Sequence, residues 1–153
     1  MRAVEPWVVA PVEAFLAESQ ARLVLLMTAS GQVVAQHGFA RAVDVMGAAA
    51  LGAATVASTG EIARTLGWAP FGVVVHQGPE QSHFLAPFDT PRGRWIGLVV
   101  FGADTSLGLI QLFFEQLVQD LVAAAPAAPP SAPVLAENFE HELNASLRTL
   151  FGR

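Results

Sequence analysis

The sequence predicts an α/β fold of the α+β type, a sandwich of two or three layers built on one antiparallel sheet of five strands. Three observations predict it. The segments Phe71 to His76, His83 to Ala86 and Trp95 to Phe101 follow one another closely, across Gly78-Pro79 and Thr90-Pro91-Arg92-Gly93, and read as an antiparallel meander. Arg22 to Thr28 and Val33 to Gln36 read as a hairpin about Ala29-Ser30-Gly31-Gln32. Long apolar helical segments lie on both sides of the meander in the chain.

Each element has its own signal. Pro11 to Glu18 carries Val12, Phe15 and Leu16 at helical spacing with acids between them, a short amphipathic helix. The run Leu23-Val24-Leu25-Leu26-Met27 is apolar without alternation, so that strand is expected to be covered on both faces. From about Asp44 to Leu66 the chain is rich in alanine, lacks proline and stops at Gly67, as a helix does. Thr105 or Ser106 caps a further helix that runs to about Ala124 with Leu109, Leu112, Phe113, Leu117 and Leu121 recurring at helical spacing. Residues 1–124 therefore form one domain. Residues 125–133 are a linker rich in proline and alanine, and residues 134–153 carry a last amphipathic helix that closes at Gly152.

Composition removes several classes of function. All eight cationic residues are arginines, and they stand against thirteen acids for a net charge of -5, with no basic cluster to meet a phosphate backbone. Nucleic acid is not an expected partner. Without a lysine there is no Walker-type phosphate loop and no Schiff base, and without a cysteine no disulfide, thiolate metal site or thiol nucleophile. Met1 to Pro6 places an acid and a proline where an export signal has its apolar stretch, so a cytoplasmic location is expected. The Ala/Gly run from Val45 to Gly60 reads as too short for a membrane span, and no membrane insertion is expected.

Catalytic patterns are missing as well. His37, His76, His83 and His141 are not spaced with acids as a metal cluster, although His76 and His83 end adjacent predicted strands. Glu137, Glu140 and Glu142 read as the solvated face of the last helix. Neither a nucleophile elbow, a zincin helix nor a dinucleotide loop occurs. The expectation is a protein without catalytic residues, metal or cofactor, one that acts by binding other proteins.

Two helices carry that expectation. The Asp44 to Leu66 helix is apolar around most of its circumference: Leu51, Thr55, Ser58, Ile62 and Leu66 form one stripe, taken to pack on the sheet, and Met46, Ala49, Ala53, Val56 and Gly60 form the opposite one. A helix apolar all round needs cover all round, and a second subunit or partner supplies it. The last helix shows Phe139, Leu143, Leu147 and Leu150 in one stripe with Phe151 beside it, carried on a proline-rich stretch whose eleven residues, 123 to 133, reach about 34 Å at about 3.1 Å per residue. Docking on a partner is the expected role, with folding back on its own domain the alternative.

Val75-His76-Gln77-Gly78, Asp104-Thr105-Ser106-Leu107-Gly108-Leu109 and the closing Leu150-Phe151-Gly152 resemble the Roadblock/dynein-light-chain family, and within it the bacterial MglB group. The likeness covers about residues 10 to 125 at the level of fold. It implies a Roadblock-like sandwich with helices on both faces of the sheet, and a homodimer pairing through the middle helix and an edge strand. It further implies binding of a Ras-like small GTPase of the MglA type, acceleration of its GTP hydrolysis, and a part in cell polarity or motility. In such a complex the helix layer with Ala49, Ala50, Ala53 and Ala57 would meet the GTPase. The MglB likeness implies repositioning of the GTPase's own catalytic residues, while Arg64, on the outward face, leaves open an arginine finger, worth about 10³ to 10⁵ in rate where one operates. The alternative within the family is a dimeric scaffold or adaptor with no effect on GTP turnover.

Overall fold

The computed structural model describes residues 1–38, 44–127 and 132–151, of which 132–140 by backbone alone. Its elements in chain order are β1 (Arg2–Ala3), a 3-10 turn (Pro6–Val8), α1 (Val9–Ser19), β2 (Leu23–Thr28), β3 (Val33–Gly38), α2 (Val45–Leu66), β4 (Val74–Gln77), β5 (Ser82–Thr90), β6 (Gly93–Phe101), α3 (Leu107–Ala124) and α4 (Ala132–Phe151). The strands form one antiparallel sheet in the order β1-β3-β2-β6-β5-β4.

The central strands explain the layering. Along β2, Val24 and Leu26 enter the core beneath α1 and α3, while Leu25 and Met27 enter a second core beneath α2. A strand with water on neither face has no use for polar alternation. β6 follows the same rule, with Trp95, Val99 and Phe101 on the α1/α3 side and Ile96 and Leu98 on the α2 side. The fold is thus a three-layer sandwich with helices on both faces.

The sheet has six strands where five are expected. The extra one is Arg2–Ala3, which pairs with Gln36 and Ala35 of β3 and covers that strand's outer edge. Two residues beside an acid and a proline carry no strand signal of their own; tertiary pairing alone makes them a strand. The following segment is held by Trp7 stacked on Trp95, with ring centroids 5.5 Å apart, and by an ion pair from Arg92 to Glu5 at 3.4 Å. The meander also differs in extent. β5 and β6 run on to a tight turn at Pro91-Arg92, where Gly93 takes a positive φ of 114° and the Thr90 hydroxyl donates to the Gly93 carbonyl. β4 starts at Val74, later than Phe71.

Helix ends follow local chemistry. Gly67, at φ 69°, closes α2 with its N–H directed to the carbonyls of Ala63 and Arg64, and the Ser106 hydroxyl caps α3 by accepting from the Leu109 N–H at 3.3 Å. α4 begins at Ala132, before the expected start, because Pro133 falls in its first turn where a missing N–H breaks no helical bond. The linker residues 128–131 and the closing Gly152 lie outside the described residues.

One contact clamps the larger core. Phe114 of α3 lies over Gly97 of β6, where an added Cβ would meet the ring carbon Cζ at 2.6 Å. Around it stand Phe84, Phe88 and Phe15, with centroids 5.1, 5.7 and 6.2 Å from its own, all in edge-to-face arrangement. Gly97→Ala is therefore expected to push the ring outward and cost about 1–3 kcal/mol by overpacking. In a chain of this size that lowers the melting temperature by several degrees, on the order of 2–8 °C, and a calorimetric scan showing no fall would refute the clamp.

Candidate protein-binding surfaces

α2 meets the sheet through its smallest residues. Ala49 is 0% exposed and Ala53 6%, and both lie in the core formed by Leu25, Met27, Leu85, Ile96 and Leu98. At Gly52 a Cβ would stand 3.3 Å from Leu85 and 3.4 Å from Leu98, so the backbone approaches as near as side chains permit. Val56 is half-buried on the same core.

This reverses the expected orientation of the helix. Ala49, Ala53 and Val56 were expected on the outward stripe and face the chain's own sheet instead. Leu51, expected to pack inward, is 71% exposed, and Ile62 and Leu66 are exposed too. The physical reason is volume: the sheet beneath is paved with large aliphatic side chains, so only a stripe of alanine and glycine lets the helix come close. In the single chain Met46, at 78%, is exposed, as are Ala50, Ala57, Gly60 and Arg64.

Arg64 does not reach out unaccompanied. Glu61, one turn earlier, accepts from its Nε at 2.7 Å and from its Nη2 at 2.9 Å. The guanidinium holds the Glu61 carboxyl below its ordinary value, and the carboxylate raises the arginine in return. Both side chains are exposed, so the pair orients Arg64 and adds little to stability.

Beside α2 runs an apolar cleft of about 280 Å³ walled by Leu51, Gly52, Thr55, His83, Leu98 and Val100. Its walls come from α2 and from β2, β6 and β5 of the sheet. Past the end of α2, Trp68 and Phe71 stand edge to face at 6.2 Å and are exposed, followed by exposed Val73. Sequence reasoning assigned Phe71 to a strand and passed over Trp68. Two aromatics flanking Ala69-Pro70 were the available signal. Leu51, Ile62, Leu66, Trp68, Phe71 and Val73 are thus exposed apolar residues along α2 and the segment that leads from it into β4.

α4 exposes Leu143, Leu147, Leu150 and Phe151, the last at 78%. Phe139 falls where only the backbone is described. By length and composition α2 and α3 are each apolar enough to cross a bilayer, which the shorter span expected at Val45 to Gly60 did not allow; both pack a buried stripe on the sheet.

A cavity between α3 and β5 offers no acid–base pair. It measures about 510 Å³, with a floor of Phe84, Phe88 and Phe114 and a rim of Gln111, Glu115 and Gln119. On β4 and β5, directly opposite in register, His76 Nδ1 and His83 Nε2 are 2.8 Å apart. That is the one place where the structure brings together two of the four histidines singled out in the sequence, among the described residues.

Comparison with solved structures places this arrangement. Myxococcus xanthus MglB matches with a TM-score of 0.70 and 25% identity, covering 78% of this chain and 95% of that one. The gliding protein MglB of Thermus thermophilus matches at 0.68 and 26%, covering 78% and 88%. The chain has the Roadblock fold and is similar in structure to MglB. A Roadblock/LC7 domain from Streptomyces avermitilis shares the Roadblock fold at a TM-score of 0.63 and 15% identity, covering 75% and 92%. No protein-family model and no curated protein matches the sequence.

The environment of His83 generates a prediction. Burial, and then the field of His76, lower its pKa from the ordinary 6.5. The walls contributed by α2 and β6, through Leu51, Thr55, Leu98 and Val100, hold no charge to offset this. The unfolded chain therefore binds more protons in that range, and stability rises with pH. The contribution is complete above the unfolded value and is lost as the pH falls through the lowered folded value. Between pH 7.5 and 5.5 the melting temperature of the protein should fall more steeply than that of His83→Gln; parallel profiles would exclude this account.

Proposed function

We propose that the chain is a homodimeric, cytoplasmic regulator that binds a Ras-like small GTPase of the MglA type and stimulates its GTP hydrolysis, in cell polarity or motility. One observation carries the reading. On a fold similar to MglB, a helix exposes a stripe of Leu51, Ile62 and Leu66, and exposed Trp68, Phe71 and Val73 lead from it into a terminal strand of the sheet. Apolar groups of this size beside an unpaired strand edge favour a second polypeptide. A solved MglB has a tetrameric arrangement, which supports self-association as a property of proteins with this fold.

The two sides of α2 then divide the work. The stripe Leu51, Ile62 and Leu66, with β4, pairs with a second copy. Met46, Ala50, Ala57, Gly60 and Arg64 meet the GTPase, with Arg64 oriented by Glu61. The protein acts without an active site of its own, by altering the GTPase's catalytic geometry. The α4 stripe of Leu143, Leu147, Leu150 and Phe151, with Phe139, docks on a partner at the end of the linker.

Ile62→Glu together with Leu66→Glu is expected to leave the melt of the single domain within about 0.5 kcal/mol, since both sites are exposed, and to convert a dimer into a monomer in the ultracentrifuge. A wild-type monomer at micromolar concentration contradicts the dimer. Turnover of an MglA-type GTPase should rise when the protein is added; binding with unchanged turnover identifies a scaffold instead. Arg64→Ala separates a finger, which loses acceleration with binding retained, from repositioning, which barely changes.

The tail is tested by removing residues 132–153. The shortened protein is expected to keep its melting temperature within about 2 °C, the scale of a change well under 1 kcal/mol, while its affinity for the partner falls. A large drop in melting temperature would assign α4 to its own core.

A further inference from the structure

We propose that His76 and His83 form a chelating site for a late first-row divalent cation, with copper(II) held ahead of nickel(II) and zinc(II). The pair is set by the backbone. His76 and His83 are directly opposite in the β4–β5 ladder, and their neighbours Val74 and Leu85, also opposite, both face the α2 layer. Side chains two positions apart share a face, so both imidazoles rise on that side, with Cβ atoms about 4.5–5.5 Å apart as in any such pair.

The separation of the nitrogens suits a metal. His76 Nδ1 and His83 Nε2 are 2.8 Å apart and the ring centroids 4.7 Å. With metal–imidazole bonds of about 2.0–2.1 Å, that spacing subtends about 85–90° at the ion. This is the angle between neighbouring ligands of a square-planar or octahedral ion, whereas a tetrahedral zinc site would spread the same nitrogens to about 3.3 Å. Geometry and intrinsic affinity therefore rank copper first.

Protonation favours ligation too. At present one ring donates its N–H to the other; for both facing nitrogens to offer lone pairs, the donor ring moves its proton to its other nitrogen, with no net loss of a proton. No third His, Asp, Glu or Cys among the described residues completes a cluster with them, so the protein supplies two ligands and water fills the remaining positions. His76 is exposed in the single chain, which leaves those positions open to water. Nothing in this inference requires the dimer or the GTPase.

Titration calorimetry of the full chain with copper(II), nickel(II) and zinc(II) chlorides tests it. One ion per chain is expected, tightest for copper, with a copper electron paramagnetic resonance spectrum showing coupling to two nitrogens. His76→Ala and His83→Gln should each abolish that signal with the circular dichroism spectrum unchanged, and His37→Ala and His141→Ala should not. Since His76 is exposed, its variant tests the site even if His83→Gln perturbs the fold. Binding that persists in the His76 variant would place the ion elsewhere, for example on the Met1 amine, and overturn the assignment; so would the lack of binding by the folded wild-type chain.

Discussion

Phe114 over Gly97 is the contact on which the rest of the structure depends. A sheet strand without a Cβ at its centre admits an aromatic ring from the helix above, and that ring gathers Phe15 of α1 and Phe84 and Phe88 of β5 around itself. Helices α1 and α3 are thereby committed to one face of the sheet. The other face, lined by Leu25, Met27, Leu85, Ile96 and Leu98, is left to a single helix.

That asymmetry shapes the binding surface. One helix cannot cover a six-stranded sheet, and α2 comes close to it only by placing Ala49, Gly52 and Ala53 underneath. Its larger apolar side chains are then turned outward, Leu51 onto the cleft and Ile62 and Leu66 into solvent. The exposed stripe is a consequence of how the inner core is filled: the same small residues that let the helix settle leave Leu51, Ile62 and Leu66 in need of cover. Burying a leucine or isoleucine fully contributes about 1.5–3 kcal/mol, so three of them on each of two chains are a substantial drive to associate, offset in part by lost freedom on binding.

At the same edge the fold concentrates its chemistry. The β4–β5 register aligns two imidazoles, the cleft beside α2 buries part of one of them, and the exposed Trp68–Phe71 pair adjoins the strand. By contrast the large aromatic-floored cavity between α3 and β5 has only Glu115 as an ionisable group in its lining.

Much of the architecture was legible in the chain itself. The unbroken apolar run of β2 announced a strand covered on both faces, Gly67 and Ser106 marked helix ends, and Thr90-Pro91-Arg92-Gly93 marked a hairpin, because turns and caps are set by local backbone chemistry. The family likeness rested on the short motifs about His76 and Ser106, and the backbone match to MglB agrees with it. What only the tertiary structure decided was direction. A helix with alanine, glycine and leucine on every side has no polar face to orient it, so periodicity could not say whether Ala49 and Ala53 or Leu51 and Ile62 lay inward. The sheet's large side chains made that choice by volume. Likewise nothing local made Arg2–Ala3 a strand or set His76 against His83; both follow from pairing with residues distant in the chain, which a sequence records only after it has folded.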